Sequence, residues 1–321
     1  MLDKPRKLRM DKTAFVFPGQ ASQYVGMARD LHDASLDVRS LFESASRILD
    51  FDLAEACFDG PLEKLTRTEH TQPAVLVHSL AILTMIGDSL PVPAFCAGHS
   101  LGEYSAHACA GTLSFEDAIA AVRDRSRLMK SACDSTDGTM AAAIGGDDNS
   151  VSRMVKDASK HGILQPANYN SPGQIAMSGD AAGIQFAHEH HKEYGFKRML
   201  PLKVGGAFHS PLMQFAADRM DGALAGLEFS TPECPVVANV TAEPVDSPES
   251  GRELLVKQIT APVKWMQSVQ KMCDLGVTRF VEIGPGKVLT GLIKKIAPDV
   301  ETANIDTLED VELLLQESEV A

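Results

Sequence analysis

The 321-residue sequence lacks any apolar run of the roughly 18–20 residues that a membrane-spanning helix requires. Its N-terminus is basic but has no apolar segment of the kind that defines a signal peptide. Positive charge is also scarce overall, since 30 lysines and arginines face 43 aspartates and glutamates and leave a net charge of −13. This balance argues against nucleic acids and anionic membranes as partners.

Cysteine pairs are absent as well, because the six cysteines are scattered without a Cys-x-x-Cys motif. That distribution favours free thiols in a reducing compartment over disulfides or a zinc site, and it predicts a cytoplasmic protein. The segment His188-Glu189-His190-His191 misses the zinc-binding spacing, since Lys192 replaces the second ligand. Likewise Gly284-Pro285-Gly286-Lys287 matches neither phosphate-loop template. The sequence therefore predicts neither a metal site nor a nucleotide site.

What the sequence does contain is the segment Gly98-His99-Ser100-Leu101-Gly102. An apolar run, Pro93–Ala97, precedes it, and a small-residue run that favours a helix, Glu103–Ala110, follows it. Strand, tight turn and helix form the context in which Gly-x-Ser-x-Gly exposes a serine nucleophile. The pattern predicts acyl transfer through an ester of Ser100, without naming the acyl group.

A serine nucleophile needs a neutral imidazole within hydrogen-bond reach. His209 is the best candidate, because it lies in a loop of small residues, Gly205–Pro211, where the chain returns from a predicted insertion. By strand alternation His99 is expected to point away from Ser100, and His107 is expected to pack within the following helix.

A long helix after the serine motif begins with a capping box at Ser114 and carries Arg123, Arg125 and Arg127. Residues two positions apart point nearly opposite ways on a helix. If one of these arginines faces inward, its neighbours are therefore expected in solvent.

The apolar pattern predicts an α/β fold with a first buried strand at Thr13–Phe17 and a last one at Arg279–Ile283. A helical region is predicted over Gln258–Lys271. Between residues 138 and 204 the order of elements is β-α-β-β-α-β, which is typical of a ferredoxin-like unit. We predict an α/β-hydrolase-like parallel-sheet core (13–137 and 205–321), an inserted ferredoxin-like subdomain (138–204) and a disordered leader (1–12).

Six short segments occur in a fixed order: Phe17-Pro18-Gly19-Gln20-Ala21-Ser22-Gln23, Gly98–Glu103, the Arg125–Met129 spacing, Asn170–Gln174, Ala207–Ser210 and Val281–Gly286. Together they resemble the malonyl-CoA:acyl carrier protein transacylases. The resemblance extends from about Thr13 to Ile296, and the order of the six segments makes it specific.

The resemblance implies that Ser100 is the nucleophile and His209 the base of a ping-pong cycle. Malonyl-CoA would acylate Ser100, and the phosphopantetheine thiol of acyl carrier protein would then remove the malonyl group. Because malonyl-CoA is a substrate, no cofactor is expected. The main-chain N–H groups of Gln20 and Leu101 would form the oxyanion hole, and the carbonyl of Gln258 would orient the histidine.

The same resemblance implies substrate-binding roles for three further residues. Arg125 would hold the malonyl carboxylate, since a forked guanidinium matches a carboxylate better than an ammonium does. Asn170 would support the cleft, and Phe208 is the residue that malonyl-selective relatives tend to carry.

The chain departs from the family in its first loop, where Ala21 replaces the usual glycine. If that position needs a positive φ, alanine strains the loop beside Gln20. Because the carriers of this family are acidic, the basic helix with Lys287, Lys294 and Lys295 is a predicted docking site.

Alternative functions stay open at this point. The carrier could belong to fatty-acid or to polyketide synthesis. A serine esterase or thioesterase would share the elbow but complete a triad with a carboxylate, for which the chain offers Asp117, Asp134 and Asp180. A non-catalytic docking protein is disfavoured, because all the residues implied in catalysis are present.

Overall fold

The computed structural model describes residues 9–320, which form two β-sheets with helices packed around them. The strands are β1 (Arg9–Phe17), β2 (Val92–Gly98), β3 (Gly138–Gly145), β4 (Leu164–Ser171), β5 (Gln174–Asp180), β6 (Phe196–Pro201), β7 (Val236–Val237), β8 (Pro244–Val245), β9 (Arg279–Ile283) and β10 (Glu301–Ile305).

The helices are α1 (Arg29–Ala34), α2 (Leu36–Leu49), α3 (Leu53–Phe58), α4 (Leu62–Leu65), α5 (Thr68–Ile86), α6 (Gly102–Cys109), α7 (Phe115–Asp134), α8 (Asp148–Ala158), α9 (Ala181–His190), α10 (Gln214–Ala225), α11 (Pro248–Gln258), α12 (Trp265–Asp274), α13 (Val288–Ile296) and α14 (Leu308–Val320). Short 3₁₀ turns cover Gly87–Ser89, His191–Tyr194 and Pro211–Met213. Among residues 9–320, no helix combines the length and the apolarity needed to cross a bilayer.

The larger sheet has the strand order β10-β9-β1-β2-β7-β8, and all neighbours pair in parallel except β7 and β8. Strand alternation explains why helices cover both faces. Ala14 and Val16 of β1 pack into one apolar cluster with Trp265, whereas Phe15 and Phe17 pack into the cluster on the opposite face. Strand β2, which leads into the Gly98–Gly102 segment, therefore lies in the middle of a core that is buried on both sides.

The smaller sheet has the order β4-β5-β3-β6 with every neighbour antiparallel. Helices α8 and α9 contribute Met154 and Ile184 to its own apolar cluster, which also holds Met177 and Phe196. Both the parallel core and the ferredoxin-like arrangement agree with the expected α/β class, which is confirmed. The proposed boundaries, 13–137 and 205–321 for the core and 138–204 for the insertion, stay predictions.

Two expectations were wrong in detail, and the first concerns the leader. Strand β1 begins at Arg9 and not at Thr13. Arg9 pairs with Val92, and the carbonyl of Lys12 accepts a hydrogen bond from the N–H of Thr278 at 2.9 Å. Main-chain pairing thus orders residues 9–12 despite their polar composition. Residues 1–8 of the predicted disordered leader lie outside the described residues.

The second concerns the helix predicted over Gln258–Lys271. Helix α11 ends at Gln258, residues 259–264 are not helical, and α12 begins only at Trp265. Within this non-helical stretch, Val263 pairs with the edge strand β4. Its N–H donates to the carbonyl of Ala167 at 2.8 Å, and its carbonyl accepts from the N–H of Tyr169 at 2.9 Å. This long-range pairing overrides the local helical pattern and makes Gln258 the last residue of α11.

Candidate active site

The nucleophile elbow connects β2 to α6 through a turn with no room for side chains at its two glycines. A Cβ on Gly98 would lie 1.9 Å from the carbonyl carbon of Gly102, and one on Gly102 would lie 2.1 Å from the carbonyl oxygen of Phe17. Ser100 itself has φ 52°, in the left-handed region that residues other than glycine rarely occupy. Such strain is typical of a serine that is held at the end of a strand for chemistry.

Ser100 contacts the imidazole that is predicted to be its base. Its Oγ lies 2.7 Å from Nε2 of His209, and Nδ1 of the same ring lies 2.8 Å from the carbonyl oxygen of Gln258. A carbonyl only accepts, so Nδ1 carries the proton and Nε2 offers its lone pair to the serine hydroxyl. Gln258 ends α11, where the last carbonyls have no partner within the helix.

The environment of His209 keeps its ring neutral. The residue is buried, and burial, together with the nearby positive charge of Arg125, lowers the pKa of the imidazole to about 3. A neutral imidazole that hydrogen-bonds a hydroxyl is the arrangement that a general base needs.

Arg125 is the buried cation of the site, with only 1% of its surface exposed. One terminal nitrogen donates to Oε1 of Gln72 at 2.7 Å. The other donates to Oε1 of Gln258 at 2.8 Å and to Oγ of Ser100 at 3.0 Å. Burial lowers the pKa of the guanidinium, but from so high a value that the group stays charged. Two neutral amides thus hold a positive charge beside the nucleophile.

Of the neighbouring arginines on α7, Arg127 is exposed and Arg123 is half-buried. Arg123 contacts Asp124 at 2.7 Å, and Arg127 contacts Asp50 at 3.2 Å. The expectation that only one of the three arginines turns inward is confirmed, because helical spacing places Arg125 on the opposite face.

The candidate oxyanion donors, the main-chain N–H groups of Gln20 and Leu101, belong to residues that line one cavity with Ser100. The N–H of Ser100 donates to Oδ1 of Asn239 at 2.7 Å, and that of Gly102 donates to the carbonyl of His99 at 3.0 Å. Leu101 lies between these two engaged groups, at the N-terminus of α6, and Gln20 lines the same cavity from the loop after β1. A helix N-terminus favours negative charge at this position.

A cavity of about 400 Å³ opens over Ser100 between the two sheets. The small sheet contributes Asn170, whose Oδ1 lies 2.9 Å from Nε2 of His99. Phe208 is buried at the wall. The other apolar lining residues are Ala21, Leu101, Met129, Met140, Ala176, Leu202, Val204, Val288, Leu289 and Leu292. Apolar walls around one buried cation suit a short acyl chain that ends in a carboxylate.

Three polar residues of the site were missed by sequence reasoning. Gln72 holds Arg125, and Asn239 holds the elbow through Ser100 N–H and, at 2.6 Å, the carbonyl of Gly98. Glu103, fully buried on α6, accepts from Nε2 of Gln258 at 2.6 Å. Burial raises the pKa of its carboxyl to about 7. The only available signal in the sequence was that Glu103 directly follows the serine motif.

The comparisons with known proteins point to one family. Residues 14–309 match the acyl transferase domain family. A malonyl CoA-acyl carrier protein transacylase of Bacillus subtilis is 41% identical over 308 residues, which span 96% of this chain and 97% of that protein. The chain belongs to the malonyl CoA-acyl carrier protein transacylase family.

Solved structures agree with this membership of the transacylase family. An acyl carrier protein S-malonyltransferase of Vibrio cholerae has a TM-score of 0.90 and 41% identity, with 94% of this chain and 99% of that chain covered. A malonyl-transacylase solved in complex with its type II PKS acyl-carrier protein has a TM-score of 0.90 and 40% identity, covering 95% and 99% of the two chains.

The hydrolase triad considered for the sequence is contradicted by the geometry. None of the three candidate aspartates orients His209, whose Nδ1 hydrogen goes to the Gln258 carbonyl. Asp117 lies in the first turn of α7, Asp134 pairs with Lys130, and Asp180 caps α9. A transacylase that orients its histidine with a main-chain carbonyl fits the site better than a triad esterase does.

The departure from the family at Ala21 proves to be a strained position, because its φ is 85°. We expect Ala21→Gly to raise the free energy of unfolding by about 0.5–1 kcal/mol. Left-handed strain of about 1–2 kcal/mol would be relieved, against a loss of about 0.5–1 kcal/mol in glycine entropy. Urea unfolding measures the change. Ala182→Gly, on the exposed face of α9, is the control and should lower the free energy of unfolding. If Ala21→Gly also lowers it, Ala21 is not a strained position.

Proposed function

We propose that this transacylase-family member moves malonyl from malonyl-CoA to the phosphopantetheine thiol of acyl carrier protein in fatty-acid biosynthesis. The observation that carries the proposal is the position of Ser100 Oγ, 2.7 Å from a neutral imidazole and 3.0 Å from a buried guanidinium. A nucleophile, a base and a carboxylate-binding cation thus meet within one cavity.

In the first half-reaction, Ser100 Oγ attacks the thioester carbonyl while Nε2 of His209 takes the hydroxyl proton. The main-chain N–H groups of Gln20 and Leu101 stabilise the oxyanion, and each such donor typically contributes about 10²–10³ in rate. When the C–S bond breaks, the imidazolium returns its proton to the departing CoA thiolate. In the second half-reaction His209 deprotonates the carrier thiol, which attacks the ester carbonyl. When the ester C–O bond breaks, the imidazolium returns the proton to Ser100 Oγ and both groups are restored.

The acyl group is selected by Arg125, with Phe208 and Asn170 at the walls. The guanidinium is already desolvated and held by Gln72 and Gln258, so little reorganisation is needed when a carboxylate arrives. An uncharged acyl group would leave this buried cation without an anion, which disfavours its binding.

These steps require only proton and acyl transfer by side chains and main-chain donors. We therefore propose that the enzyme uses no cofactor, with malonyl-CoA as a substrate. Free thiols at all six cysteines support the proposed cytoplasmic location, where thiols stay reduced.

The test is intact mass spectrometry of the protein after incubation with malonyl-CoA, before and after addition of phosphopantetheinylated acyl carrier protein. We expect one malonyl adduct, mapped to Ser100, that passes to the carrier thiol. An adduct that is lost to water without reaching the carrier would instead indicate a hydrolase.

For the carrier we propose docking at Lys287, Lys294 and Lys295, all of which are exposed. Helix α13, which carries two of these lysines, also contributes Val288, Leu289 and Leu292 to the cavity wall. Lys295 Nζ lies 3.4 Å from Oε1 of Gln174, another lining residue. A positive patch beside the entrance would steer an acidic carrier toward an enzyme of net charge −13.

We expect the double variant Lys294→Glu/Lys295→Glu to raise the KM for the carrier about tenfold, because two attractive charges become repulsive. The rate of Ser100 malonylation by malonyl-CoA should not change. Steady-state kinetics with varied carrier concentration measures the KM for the carrier, and rapid-quench mass spectrometry measures the rate of Ser100 malonylation. Lys160→Glu/Lys192→Glu carries the same charge change on exposed residues of the small subdomain. An equal effect of both pairs would contradict docking at α13.

A further inference from the structure

The side chain of Gln165 lies where the small sheet meets the loop that carries the candidate base. Gln165 is the second residue of β4 and is half-buried. Its Nε2 donates to two main-chain carbonyls, those of His209 and, at 3.0 Å, Thr260. The first carbonyl belongs to the loop after β6 and the second to the loop after α11, so one amide connects two segments that are distant in sequence.

A second hydrogen bond connects the same two parts of the chain: His209 Nδ1 lies 2.8 Å from the carbonyl oxygen of Gln258, two residues before Thr260. The Gln165 amide therefore links these two parts of the chain through the main-chain carbonyl of His209, whereas the Gln258 carbonyl links them through the His209 ring. Further along β4, Val263 pairs with Ala167 and Tyr169. Strand β4, at the edge of the small sheet, is thus hydrogen-bonded to both ends of the segment from 260 to 263. Through the Gln165 side chain it is also hydrogen-bonded to the loop that carries His209.

The main-chain conformation of His209 explains why a hydrogen bond that restrains this loop is needed. Its φ is 55°, and a residue other than glycine in this region carries about 1–3 kcal/mol of strain that its surroundings must balance. Relaxation of the main chain would rotate the imidazole away from Ser100. A primary amide is suited to prevent this, because its two N–H hydrogens match two carbonyl acceptors.

We propose that Gln165 is a positioning residue, which fixes the main chain of His209 so that Nε2 stays aligned with Ser100 Oγ. The role rests on the proposed function only in that the aligned pair performs the acyl transfer. The proposed role means that the inserted subdomain affects the rate of acyl transfer, although it contributes no group to the proton transfer itself.

The experiment compares Gln165→Glu, Gln165→Met and Gln165→Lys with the wild-type chain. The first presents carboxylate oxygens to two carbonyls, the second fills the space without donors, and the third restores donors through its ammonium group. Two rates are measured: malonylation of Ser100, and its sulfonylation by phenylmethanesulfonyl fluoride, which needs the same serine and base but no malonyl recognition. Gln185→Glu, an exposed residue of α9, is the matched control.

We expect Gln165→Glu and Gln165→Met to slow both reactions about 10- to 100-fold, the usual effect of a misplaced catalytic group. The KM for malonyl-CoA should stay at the wild-type value, and Gln165→Lys should recover most of the rate of both reactions. The proposal is overturned if the Glu and Met variants react like the wild type. It is also overturned if all three variants lose rate and thermal stability together, which would indicate a structural role alone. Sulfonylation of a wild-type chain that never takes malonyl would refute the proposed function while still testing Gln165.

Discussion

Replacing Ser100 with alanine is expected to eliminate the malonyl adduct and to lower the transfer rate by about 10⁴-fold or more. Removing a nucleophile that acts together with its base typically costs this much. No other hydroxyl replaces it, since Oγ of Ser100 is the atom that lies 2.7 Å from His209 Nε2. Intact mass after incubation with malonyl-CoA detects the adduct, and transfer to carrier is followed in the same samples.

The control for this substitution is Ser105→Ala, on the next turn of α6. Ser105 is fully buried, and within the part of the chain that the structure describes its hydroxyl makes no hydrogen bond. We expect this variant to keep the adduct and the wild-type rate. Because alanine and serine bear the same strain at φ 52°, Ser100→Ala should also keep its thermal stability. A malonyl adduct that persists in folded Ser100→Ala would exclude Ser100 as the nucleophile.

The reaction class was accessible from the sequence because its residues are adjacent in the chain. A strand, two glycines, Ser100 and a helix leave a local pattern, and Gly98 and Gly102 are glycines for a local reason, since a Cβ at either would collide with main chain. His209 was accessible by its loop position alone. The role of Gln258, in contrast, came only from the resemblance, because the helix that it ends was predicted in the wrong place.

The supporting residues were out of reach for a physical reason: they act through contacts between distant parts of the chain. Gln72 meets Arg125 across 53 residues, and Asn239 meets Ser100 across 139. Amide side chains carry no sequence signal of such partners. Helical periodicity showed that Arg125 and its neighbours could not all be buried, but only packing against α5 decided which one is.

The second large effect is expected from Arg125→Ala, which should change the acyl selectivity. The malonyl carboxylate would lose its partner, and truncating one member of a buried charge pair costs roughly 2–5 kcal/mol, or about 30- to 4000-fold. An uncharged acyl group such as acetyl would no longer face an unpaired guanidinium, so its acylation of Ser100 should rise. The ratio of kcat/KM for malonyl-CoA to that for acetyl-CoA measures the change and should fall by at least this factor.

Arg123→Ala separates this effect from a general loss of positive charge on α7. Arg123 lies on the opposite face of the same helix and pairs with Asp124 at the surface, so its removal should leave the ratio as in the wild type. Arg125→Met serves as a second variant, because it keeps apolar volume in the cavity while removing the charge. If both Arg125 variants fold and still load malonyl at the wild-type rate, the carboxylate is held elsewhere and the proposed basis of selectivity is wrong. If malonyl loading falls while acetyl loading rises, the buried cation is the group that distinguishes the two substrates.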